Sequence, residues 1–189
     1  MGREYYYFAA TLPMLDFDKP PAISPEEFIT AAETQLTPSD IGQLRAAVDR
    51  SPALSGQFFL TAWQTFENEL RDEIVSARLA VRSREAQEGS RQDKTVGFSV
   101  RPAVAEAIKH ADPLEGEKIL DRLRWQYLDQ KVLGHYFDLE FLIVYILKLK
   151  ILNRYRMIAT GEGRQKFEMF REQLIQEKMS NIHQGEWRE

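Results

Sequence analysis

The 189-residue sequence contains no cysteine. That excludes disulfides, thiol catalysis and thiolate zinc sites, and a reducing cytoplasm is the expected setting. Histidine is scarce, with three residues. His110 has Glu106 one turn before it and His135 has Asp138 three residues on. A metal centre wants three or four convergent donors, and neither pair shows a third, so no metal or cofactor is expected. No serine sits in a nucleophile elbow. Gly161-Glu162-Gly163-Arg164 lacks the preceding strand and the Lys-Ser/Thr of a phosphate loop, and reads better as a helix cap. The carboxylates lie on polar helix faces with no reason for raised pKa values. A basic excess is also missing: the net charge is −4, whereas a nucleic-acid footprint wants a strongly basic face. Nor is there a run of about 20 apolar residues to cross a membrane. The opening MGREYYYFAATLPML lacks the basic start and long apolar core of a signal peptide. The expectation is a cytoplasmic protein that is not an enzyme.

What the chain does have is one strongly apolar stretch, His135 to Gly161, around which the rest is organised. Asp138 is placed to cap its amino end and Gly161 to close its carboxyl end. Phe141 to Leu147 are apolar on every side, the pattern of a helix buried centrally. Farther on, Leu149, Leu152, Tyr155 and Ile158 keep an apolar stripe, while Lys148, Lys150, Arg154 and Arg156 gather with no acid among them. Cations are favoured near a helix carboxyl terminus. The other reading of these four is a docking patch for an acidic partner.

In chain order, Tyr5, Phe8, Leu12 and Leu15 fall at helical spacing, with Pro13 limiting the helix. Ser24-Pro25-Glu26-Glu27 is a capping box with proline at the first helical position, and Thr37-Pro38-Ser39-Asp40 repeats the device. Phe59, Trp63, Phe66, Leu70, Ile74, Ala77 and Val81 form one face of a long helix with mixed charges opposite, Glu67 among them, a face expected to be solvated. Asp112-Pro113 starts a helix carrying Ile119, Leu120, Leu123, Tyr127, Leu128 and Val132. Phe167, Phe170, Leu174 and Ile175 mark a last amphipathic helix. Trp63 and Trp125 read as core; Trp187 has no assigned place. The expected fold is an all-α helical bundle with helices near 25–36, 38–49, 53–86, 102–110, 113–133, 138–160 and 164–180. The expected organisation is a single domain over 1–189, with room for two helical lobes (1–88 and 99–182) joined by a polar linker near 83–98.

Three patches carry a family resemblance: Tyr5-Tyr-Tyr-Phe-Ala-Ala-Thr-Leu-Pro13, Phe137-Asp-Leu-Glu-Phe-Leu-Ile-Val-Tyr145, and Leu147-Lys-Leu-Lys-Ile-Leu-Asn-Arg-Tyr155. Together they resemble an uncharacterised bacterial family whose genes accompany those for V-type ATPase subunits. More distantly, the chain is similar to the C-type (or d-type) subunit of V/A-type ATPases. In that family a long apolar helix ends in Asn-Leu-Arg-x-Ile-x-x-Gly, and Arg156, Ile158 and Gly161 match it. Arg154 and Tyr155 replace the asparagine and leucine, and Ile151 stands where a glutamate is usual. The chain is much shorter than a typical member of the C/d family and has room for only part of its three-lobed helical cap. The resemblance implies a non-catalytic rotor cap that couples the central shaft to the membrane ring. Its partners would be the proteins of the central shaft and the membrane rotor ring, and it would be peripheral at the inner membrane through the complex. The runner-up is a soluble helical adaptor or assembly factor for the ATPase. On either reading Lys148, Lys150, Arg154 and Arg156 are the candidate partner-binding residues. Reversing Lys150 and Arg154 to glutamate is then expected to weaken shaft binding without unfolding the domain.

Overall fold

The structure, a computed structural model, describes residues 5–49, 58–83, 99–159 and 169. Every regular element among them is an α-helix: α1 (Tyr6–Thr11), α2 (Pro25–Glu33), α3 (Pro38–Asp49), α4 (Phe58–Ser83), α5 (Arg101–Lys109), α6 (Pro113–Lys131) and α7 (Leu139–Ala159). The expected ends of the long helix beyond Phe58 and Ser83 lie outside the described residues. So do the linker past Ser83, the Gly161 cap and Trp187. Of the expected helix 164–180 only Met169 is described, helical and exposed.

The starts of these helices follow from local chemistry. Ser24 Oγ accepts the Glu27 N–H at 3.1 Å while Glu27 Oε2 accepts the Ser24 N–H at 2.7 Å, so two orphan donors of α2 are satisfied reciprocally. Asp112 Oδ1 accepts from the Leu114 N–H at 2.9 Å, and Asp138 Oδ1 from the Phe141 N–H at 3.1 Å. At α3, Thr37 Oγ1 takes the Asp40 N–H at 3.4 Å. Helix α2 is shorter than the expected 25–36: it ends at Glu33, and Leu36 reaches the core from the turn that follows.

Helix α7 is buried on all sides from Leu142 to Leu147 and again at Leu149, Ile151 and Leu152. It packs on α2, α3 and α6; α5 packs chiefly on α6, and also on α4. Phe28 of α2 stacks on Tyr145 with ring centroids 5.3 Å apart, and Phe66 of α4 stacks on Tyr127 of α6 at 4.0 Å. One apolar cluster runs from Phe8 and Phe28 through Leu44 and Phe66 to Val104, Leu128 and Ile146. Trp63 is buried, whereas Trp125 is only half-buried, edge-on to Phe17. At the α5–α6 corner the chains approach so closely that a Cβ on Gly116 would meet the Ala107 carbonyl oxygen at 2.7 Å.

Candidate interaction surface

The apolar content of α7 draws it into the centre, and Lys148 and Lys150 are drawn in with it. Lys148 is 13% exposed; its Nζ donates to Asp129 Oδ1 on α6 and lies 4.7 Å from the Trp125 ring centroid. Lys150 Nζ donates to the Val48 carbonyl in the last turn of α3, where a cation is favoured by the helix dipole. Arg154 donates to Asp121 and stands 3.6 Å from Glu117. The Arg156 side chain lies outside the described residues. Lys148, Lys150 and Arg154 are thus cross-braces from α7 to α6 and α3. Arg154→Glu would set a third carboxylate beside Asp121 and Glu117, so charge reversal at this position would act on the bundle's own bracing as well as on any partner.

Asp121 is the hub of this bracing. It is 1% exposed, and it accepts from Arg124 Nη1 at 2.9 Å, from the Tyr155 hydroxyl at 2.7 Å, and from Arg154. Arg124 Nε also donates to Glu67 Oε1 of α4 at 2.7 Å, which joins α4, α6 and α7 in one ionic chain. Burial works against the Arg124 charge, but Glu67 and then Asp121 outweigh it and hold the guanidinium above its ordinary pKa. Burial likewise raises the Tyr155 hydroxyl, aided by Asp121, and pushes Tyr145 up to about 12. These shifts move proton exchange away from neutral pH rather than towards it. Trp63, Glu67, Asp121, Arg124, Lys150 and Arg154 line a cavity of about 330 Å³ in which both signs of charge are present. The spacing of α4 assigns Glu67 to a solvated face, and a partner 57 residues away is not visible in that spacing.

The histidines behave differently. The Asp112 N–H donates to His110 Nδ1 at 3.3 Å, and the ring stands with Glu106 and Glu115 around a hollow of about 470 Å³. His135 pairs with Asp138, and the fold supplies a third donor that the two-residue spacing does not show: Glu140. Among the described residues this is the one such group, with ligand atoms within 4.8 Å of one another. Asp138 is already committed to His135 and to the helix cap, and the positive end of the α7 dipole opposes a cation there.

The same loop forms the conspicuous surface feature. Gly134, at φ 90°, turns the chain out of α6, a backbone angle that costs glycine little, and the His135 N–H donates to the Val132 carbonyl at 2.9 Å. The Tyr5 N–H donates to the Phe137 carbonyl, and the Tyr145 hydroxyl donates to the Pro13 carbonyl at 2.8 Å. These bonds bring α1 against the α6–α7 loop. Tyr7, Tyr6, Phe137 and Tyr136 then form an unbroken row of rings, with centroids 5.7, 4.7 and 6.4 Å apart in turn. All four face solvent: Tyr7 is 82% exposed, Tyr136 66%, Tyr6 55% and Phe137 39%. Adjoining exposed aromatics mark an interaction site more often than isolated ones do.

An all-α bundle whose ionic groups brace its own helices, with a row of aromatic rings left on its surface, is the class that the geometry defines. Comparison with known proteins adds a likeness: the sequence model of a family described as a protein of unknown function (DUF2764) matches residues 98–179. No curated protein and no solved structure matches the chain.

Proposed function

We propose that the chain is a non-catalytic component of a V/A-type ATPase, a C/d-like rotor cap that couples the central shaft to the membrane ring. What supports the reading is a coincidence between the resemblance and the fold. Two of the patches that carry the resemblance, Tyr5 to Pro13 and Phe137 to Tyr145, are far apart in sequence yet touch. They meet through the Tyr5–Phe137 backbone bond, the Tyr6–Phe137 ring contact and the Tyr145–Pro13 hydrogen bond. A pattern spread over distant segments that converge in space is what a shared three-dimensional unit produces. No helix among the described residues is long and apolar enough to cross a membrane, in keeping with a peripheral cap.

The adaptor reading has an observation of its own: Lys148, Lys150 and Arg154, the cations meant for the shaft, are engaged by groups of the bundle itself. One experiment separates the two. The ATPase is purified through a tag on this chain, and proton or sodium pumping is measured in membranes of a deletion strain. A rotor cap co-purifies in fixed stoichiometry. Its loss leaves ATP hydrolysis by the soluble head while pumping falls. A fully coupled ATPase assembled without the chain overturns the cap and leaves the adaptor.

A further inference from the structure

We draw no further inference here: the strongest candidate, the exposed aromatic row Tyr7–Tyr6–Phe137–Tyr136 where α1 meets the α6–α7 loop, carries nothing because Asp138 beside it already serves His135 and the α7 cap and nothing in the structure shows what covers the rings.

Discussion

Replacing Asp121 with alanine removes one carboxylate and leaves three donors to find new partners. Arg124 retains Glu67 at 2.7 Å, so its buried charge stays paired. Arg154, 43% exposed, can turn to water, and its share is that of a surface pair, about 0–1 kcal/mol. The Tyr155 hydroxyl is left without its acceptor in a half-buried site, which costs about 1–3 kcal/mol. The remaining bond from Arg124, charge-assisted and nearly buried, is worth about 1.5–3 kcal/mol before the relief of removing a desolvated carboxylate is counted. The net expectation is a loss of about 2–4 kcal/mol, at the lower edge of what breaking a buried ion pair costs because Glu67 shields Arg124. For a chain of this length about 3 kcal/mol corresponds to a fall of roughly 6–12 °C in melting temperature. Urea denaturation followed by circular dichroism measures it, and a cycle with Tyr155→Phe identifies the cause. Tyr155→Phe should cost about 0.5–1.5 kcal/mol in the native background and should recover part of the loss once Asp121 is alanine, because it removes the hydroxyl left without an acceptor. Strictly additive losses, or an Asp121→Ala cost under about 0.5 kcal/mol, would refute the hub.

The other predictions concern the core, one close contact and alkaline pH. Leu142→Ala and Ile146→Ala, both fully buried on α7, should each cost about 2–5 kcal/mol in the same assay; losses under about 0.5 kcal/mol at both sites would mean that α7 is not central. Gly116→Ala gains about 1 kcal/mol of helix propensity but drives a methyl into the Ala107 carbonyl, so the melting temperature should fall; a rise would show that α5 slides freely on α6. Burial pushes the folded Tyr145 hydroxyl up to about 12 from the ordinary 10.0, and a raised folded value contributes stability that is complete below pH 10 and lost as pH rises towards 12. Wild type should therefore lose stability faster than Tyr145→Phe across that window, and parallel curves would contradict burial of the hydroxyl.

Local chemistry, which needs only neighbours in the chain, is readable from the sequence. The Ser24–Glu27 box, the Asp112 and Asp138 caps, the proline-started helices and the all-round apolar run of α7 each involve residues within a few positions. Their hydrogen bonds form wherever the helix goes. The all-α class and the central place of α7 follow from them. Spacing along one helix states which residues share a face, but not what stands opposite. Lys148, Lys150 and Arg154 read as a free basic patch because their partners Asp129, Val48 and Asp121 belong to α6 and α3. Glu67 reads as solvated because Arg124 belongs to α6. The aromatic surface needs the fold most of all. Tyr6 and Tyr7 are ordinary residues of a short helix until the α6–α7 loop, some 130 positions later, sets Phe137 and Tyr136 beside them. Burying α7 beneath α2 and α3 gives the core its apolar contacts. It also brings two distant segments of the chain into one corner and leaves their rings in solvent.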